Sequence, residues 1–211
     1  MFKIINKLEI SELTCVRGDE AIFNGLNFRA EAHDVVQLQG RNGSGKTSLL
    51  RILCGFVRPE DGAVRWNDVD IHDDTTGLHN QLTYIGHRRG VCEDLSPLEN
   101  LIFACDLTAP KSTERCREAL NQVGLGAVVD KATRLLSAGQ NQRVALARLL
   151  VSEARLWCLD EPFTALDRDG RALVERIISS HATAGGISFV ATHQPMTQAV
   201  GATKILDLDE H

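Results

Sequence analysis

The chain has 211 residues, a formal net charge of −5 and a pI of about 5.8. That length suits one α/β domain with a sizeable core, and the acidic balance argues against a nucleic-acid partner. No apolar run approaches the roughly 20 residues that cross a bilayer, and residues 1–7 hold no apolar stretch long enough for a secretory signal. The chain is therefore expected in the cytosol, reaching a membrane only through a partner.

In chain order, period-2 patterns at Leu8, Ile10, Leu13 and at Leu26, Phe28 flank a turn at Arg17-Gly18-Asp19-Glu20 and predict an antiparallel hairpin. Val35, Val36 and Leu38 predict a buried strand, and Leu49, Leu50, Ile52 and Leu53 recur at helical spacing up to Gly55. Ala63, Val64 and Trp66 follow the turn Pro59-Glu60-Asp61-Gly62 and predict a short strand; Leu82-Thr83-Tyr84-Ile85 predicts a buried one. From about residue 88 the pattern is helical. Ser96-Pro97-Leu98-Glu99 is a capping box with Pro at the first helical position, a helix is predicted from Ser112 to Val123, and another after Ser137. Strand character returns at Leu156-Trp157-Cys158-Leu159, helix around Ala172 to Ser179, and strand at Ile187-Ser188-Phe189-Val190-Ala191. Ile205-Leu206-Asp207-Leu208 predicts an edge strand. The layout is a mostly parallel sheet interrupted by a helical insert.

The six cysteines form no C-x-x-C pair and read as reduced, structural thiols. The seven histidines do not cluster. His33, His72, His79, His181 and His211 are expected on the surface.

The chemistry starts at Gly40-Arg41-Asn42-Gly43-Ser44-Gly45-Lys46-Thr47, which fits G-x-x-x-x-G-K-[ST] at every fixed position. It joins a predicted strand to a helix N-terminus, where unpaired N–H groups and the helix dipole favour an anion. Glycines let the backbone wrap phosphate oxygens. Lys46 adds charge for the β- and γ-phosphates, and the Thr47 hydroxyl is placed for Mg²⁺. Asp160-Glu161 ends an apolar strand, facing the crevice where parallel sheets bind ligands. Asp160 suits the Mg²⁺ shell, and Glu161 is suited to polarising an attacking water. Leu136-Ser137-Ala138-Gly139-Gln140 opens a helix with Ser137 as N-cap; alone it is no more than a capped helix start.

Together these motifs resemble the nucleotide-binding subunit of an ATP-binding cassette (ABC) transporter, over essentially the whole chain. Residues 40–47, with Ser48 adjoining, match Walker A; residues 136–140 match the signature motif, with Ala138 in place of its first Gly. Residues 156–161 match Walker B and its catalytic Glu, Ala165-Leu166-Asp167 the D-loop, and His193 the switch histidine. The resemblance implies one ABC ATP-binding domain over 1–211: a P-loop NTPase (RecA-like) core at 1–88 and 153–211 with an N-terminal antiparallel β subdomain, and a helical subdomain at 89–152. It implies ATP and Mg²⁺ as ligands, and Glu161, His193 and Lys46 as catalytic. It also implies a homodimer in which Ser137, Gly139 and Gln140 of one copy cover ATP bound to the other.

Two positions depart from the family pattern. The Gln expected after the strand at 82–85 is replaced by His87 or Arg88, within Gly86-His87-Arg88-Arg89, which puts a Mg²⁺ contact there in doubt. The aromatic residue that stacks on adenine falls on Arg17, whose guanidinium plane can stack in its place; the competing reading is an exposed hairpin Arg. The short length, Phe163-Thr164 and Thr192-His193-Gln194-Pro195 resemble one subfamily, the ATP-binding subunit of the haem exporter of bacterial cytochrome c maturation. That implies a peripheral position on the cytoplasmic face of the inner membrane, integral permease subunits as partners, and no direct haem binding. Another small ABC export ATPase is the competing reading. A DNA-repair ATPase would carry coiled coils or zinc modules in the insert, and a translation factor would carry two cassettes.

Overall fold

A computed structural model describes residues 6–18, 20–87, 90–107, 110–194, 196 and 203–210. They form two compact units, one of residues 1–84, 154–161 and 178–211, the other of residues 85–153 and 162–177.

In the first unit, strands β1 (Lys7–Arg17) and β2 (Glu20–Glu31) form the predicted hairpin, with Arg17 opposite Glu20. With β4 (Asp61–Trp66) and β5 (Val69–Asp70) they make an antiparallel sheet in the order β2-β1-β4-β5. The second sheet has the order β6-β7-β8-β3-β9. Its strands are β3 (Val35–Gln39), β6 (Leu82–Ile85), β7 (Leu156–Asp160), β8 (Ile187–Ala191) and β9 (Thr203–Asp207). The pairs β7–β8, β3–β8 and β3–β9 are parallel. Every residue of β7 and β8 is buried, as expected of parallel strands covered on both faces. The two sheets share one core: Leu8, Leu13, Phe23 and Leu26 from the first meet Leu38, Cys158 and Phe189 from the second. Helix α1 (Lys46–Leu53) adds Leu49, Leu50, Ile52 and Leu53, all fully buried. Burying each such side chain contributes about 1.5–3 kcal/mol. The short α2 (Thr75–His79) is capped by the Asp74 carboxylate.

The second unit packs α3 (Pro97–Asp106), α4 (Thr113–Gln122) and α5 (Ala138–Val151) against one another. Ser96 and Glu99 close the predicted capping box, and Ser112 caps α4. Helix α6 (Arg168–Thr183) starts in this unit and ends in the first, extending beyond the predicted 172–179 at both ends.

Three expectations are corrected. Strand β6 is not buried along its length: it ends the sheet order, and only Ile85 is fully buried. His181 is not on the surface. It is 9% exposed, because its ring lies flat on Trp157 with centroids 3.7 Å apart, and Ser188 and Ala154 bind its nitrogens. His72 is half-buried, while His33 and His79 are exposed; His211 lies outside the described residues. All six cysteines are free thiols, with Cys92 alone exposed.

Candidate nucleotide site

The phosphate loop leaves β3 at Gly40 and enters α1 at Gly45, both at positive φ (134° and 95°). Gly45 must lack a side chain: a Cβ there would run into Ile22 and Phe23 of β2. The same contact brings the β1–β2 hairpin, and so its Arg17 end, beside the loop. Gly45 caps α1 without a side-chain hydrogen bond, so the helix N-terminus faces outward through backbone N–H groups alone. Lys46, 7% exposed, donates from Nζ to Gly40 O at 2.6 Å and Arg41 O at 2.9 Å.

The tips of β7 and β8 supply the acids and the histidine. In register, Asp160 stands opposite Ala191. Thr47 donates from Oγ1 to Asp160 Oδ2 at 2.9 Å, and Asp160 is 4% exposed. A hydroxyl and a buried carboxylate side by side are the hard oxygen donors a small divalent cation takes. Asp160 also helps push the Tyr84 phenol up to about 12, after burial, the larger cause. One residue on, the chain turns sharply: Glu161 has φ 52°, and its N–H donates to Ala191 O at 2.9 Å. A non-glycine residue in the left-handed region is uncommon, and such strain gathers at functional sites. The turn sets the Glu161 carboxylate beside His193, whose Nε2 lies 3.3 Å from Glu161 Oε1.

The sequence did not single out Gln37. It is 4% exposed within the apolar run of β3 and donates from Nε2 to Gln194 O at 3.4 Å, which ties down the loop that carries His193. The signal was there: a polar residue between the buried apolar Val36 and Leu38 needs a partner.

In the second unit Ser137 caps α5 in a full capping box. Its Oγ accepts from the Gln140 N–H at 3.2 Å, and Gln140 Oε1 accepts from the Ser137 N–H at 2.9 Å. Gly139 is required by a close approach, since a Cβ there would sit 2.7 Å from Ala165 O. Ala165 itself has φ 63°. Two further bonds join α5 to the 162–167 loop: Gln142 Nε2 to Pro162 O at 3.0 Å, and Arg143 Nη2 to Asp167 Oδ1 at 3.1 Å.

The first unit thus brings together residues 40–48, Asp160, Glu161 and His193, with exposed Arg17 on the adjacent hairpin. Ser137, Gly139 and Gln140 belong to the second unit, as does exposed His87; Arg88 lies outside the described residues. A cavity of about 900 Å³ sits at the far ends of β7 and β8, against Trp66, His33 and Arg155.

The family model for ABC transporters matches residues 23–164. The chain belongs to the ABC transporter family. It is similar to the cytochrome c biogenesis ATP-binding export protein CcmA of Aromatoleum aromaticum, 43% identical over 212 residues, with 100% of this chain and 99% of the relative covered. The protein of the same name from Dechloromonas aromatica is 44% identical over 202 residues, 95% of this chain and 99% of that one. A solved putative ABC transporter ATP-binding protein from Pyrococcus furiosus superposes with a TM-score of 0.84 at 25% identity, over 97% of this chain and 98% of that one. The fold is that of an ABC ATPase, a P-loop NTPase, and ATP is its nucleotide. Among the described residues no helix is long and apolar enough to cross a membrane.

Proposed function

We propose that this ABC ATPase is the ATP-hydrolysing subunit of the haem exporter of cytochrome c maturation, coupling hydrolysis to delivery of haem to, or its release from, a periplasmic haem chaperone. The carrying observation is similarity to cytochrome c biogenesis export proteins over 95–100% of the chain. The permease partners are integral membrane proteins, and the subunit is peripheral on the cytoplasmic face of the inner membrane. Haem does not bind this chain directly.

At the site, the N–H groups of the loop and Ser48 cradle the phosphates and Lys46 places its charge on them. Thr47 and Asp160 hold Mg²⁺, to which their oxygen donors are suited. When bound, Mg²⁺ neutralises charge that develops on the β- and γ-phosphates. Glu161 orients the water that attacks the γ-phosphorus, and the bond to the bridging oxygen of ADP breaks. His193, beside Glu161, contacts the γ-phosphate. The first unit is the nucleotide-binding core and the second the helical subdomain. In a homodimer, Ser137, Gly139 and Gln140 of one copy close over ATP held by the other. The Ser137 oxygen already accepts a hydrogen bond, which leaves its O–H free to donate to phosphate. His87 or Arg88 takes the place of the family's Mg²⁺-contacting Gln.

The test is covalently bound haem in membranes of a strain lacking this subunit. The expected outcome is loss of c-type haem with b-type cytochromes normal. A strain carrying Glu161→Gln should show the same loss, because the work is hydrolysis and not assembly. Normal c-type haem in the deletion strain would remove the haem-exporter reading and leave an ABC ATPase of another export system.

A further inference from the structure

After β9 the chain turns through a short 3-10 helix, Leu208–Glu210, pinned to the core by Leu208, which is 2% exposed. Strand β9 runs parallel to β3 with Asp207 opposite Gln39, the residue before the phosphate loop. The turn therefore delivers Asp209 to the start of that loop. Both Asp209 carboxylate oxygens accept from the Arg41 backbone N–H, at 3.2 and 3.1 Å, and Arg41 Nε lies 3.5 Å from Asp209 Oδ2. Asp209 is itself fixed, because its N–H donates to Asp207 Oδ1 at 3.0 Å.

An acid beside a loop that binds polyphosphate is electrostatically unfavourable. Its position is explained by what it does to the loop. Residues 40–45 lie between strand and helix, with three glycines at positive φ, so the loop has more backbone freedom to lose than an ordinary turn. Arg41 is gripped on both sides: Asp209 takes its N–H, and Lys46 Nζ takes its C=O at 2.9 Å. The Ser44 N–H also donates to Arg41 O, at 3.2 Å, so the carbonyl is held from within the loop, while Asp209 ties the Arg41 N–H to the turn after β9. The Arg41 side chain is 86% exposed and adds little by its charge; the backbone contact is what counts.

We propose that Asp209 is a positioning residue of the nucleotide site, holding the start of the phosphate loop in its binding shape through the Arg41 N–H. This rests on ATP being bound at residues 40–48, and the test separates the two claims. Purified full-length chain carries Asp209→Ala, Asp209→Asn or Lys46→Ala, and the readouts are Kd for Mg-ATP by calorimetry, KM, kcat and Tm. Asp209→Ala should raise Kd and KM about fivefold with kcat within about twofold, as for loss of uniform binding. Asp209→Asn keeps a carbonyl oxygen for the N–H and should recover most of the affinity. If Lys46→Ala binds ATP like wild type, the nucleotide-site reading fails. If Lys46→Ala loses ATP while Asp209→Ala binds normally, only the positioning role fails. A fall in Tm and kcat with Kd unchanged would likewise reduce Asp209 to a structural contact and overturn the proposal.

Discussion

Two histidines near opposite ends of the same pair of strands show how one residue type serves two ends. His193 follows β8, with its side chain 48% exposed and Nε2 3.3 Å from Glu161. His181 packs near the starts of β7 and β8, stacked on Trp157, with Nδ1 3.0 Å from Ser188 Oγ and Nε2 3.1 Å from Ala154 O. Both ring nitrogens of His181 are committed, and burial pushes it down to about 4. Parallel sheets place their chemistry at the carboxyl ends of the strands. At the amino ends a polar ring is retained only by satisfying it completely. His193 at the carboxyl end is left accessible to a ligand, whereas His181 at the amino end is closed off from one.

The hardest test of the working end is Glu161→Gln. The substitution keeps size and tolerance of the turn but removes the charge that orients water. Turnover should fall by about 10²–10⁴-fold, ATP binding should persist, and the variant should collect as an ATP-loaded dimer. Steady-state hydrolysis and gel filtration with and without ATP read both effects. Turnover near wild type, with an elution profile indifferent to ATP, would put the catalytic carboxylate elsewhere.

The closed end is tested by pH. His181 is held neutral when folded and takes up a proton on unfolding. Its contribution is therefore present above its ordinary value near 6.5 and is lost as pH falls from there toward 4. Between pH 7 and pH 5 this one group should remove roughly 2 kcal/mol of stability. Urea unfolding of wild type and His181→Gln gives the comparison. The variant should be less stable at pH 7, and the gap should narrow toward pH 5. Parallel curves for the two proteins would mean that the imidazole is not kept neutral by the fold.

The same contrast explains what could be read from the sequence. Contiguous signals were legible: the glycine spacing of residues 40–47, the apolar runs of β3, β7 and β8, and the caps Ser96 and Ser137, whose partners lie three residues on. Signals that depend on distant partners were not. His181 sits in a helix beside Ser179 and Ser180 and looks like a solvated position; Trp157 and Ser188, which bury it, come from two strands. Asp209 lies 168 residues from the loop it touches, and nothing local marks it. The strained backbone at Glu161 needs the Ala191 carbonyl of the neighbouring strand to hold it. The half-burial of β6 follows from its place at the sheet edge, which pattern alone cannot assign.

The smallest effect belongs to Arg17, at the margin of the working end. It is exposed at the end of β1, opposite Glu20, on the hairpin that meets the phosphate loop through Ile22, Phe23 and Gly45. A guanidinium stacked on adenine at an exposed position contributes about 0.5–1 kcal/mol. Arg17→Ala should therefore weaken Mg-ATP binding about two- to fivefold and leave the turnover of bound ATP unchanged, since adenine is remote from the bond that breaks. Arg17→Tyr offers a larger flat ring at the same place and should bind at least as tightly as wild type. The two variants together separate stacking from charge. A surface charge that attracts polyphosphate at long range would be lost equally in Ala and Tyr, and its effect would vanish in high salt. A stacking contact is lost in Ala, kept in Tyr and insensitive to salt. Equal affinities for wild type, Ala and Tyr at low salt would return Arg17 to the solvated surface.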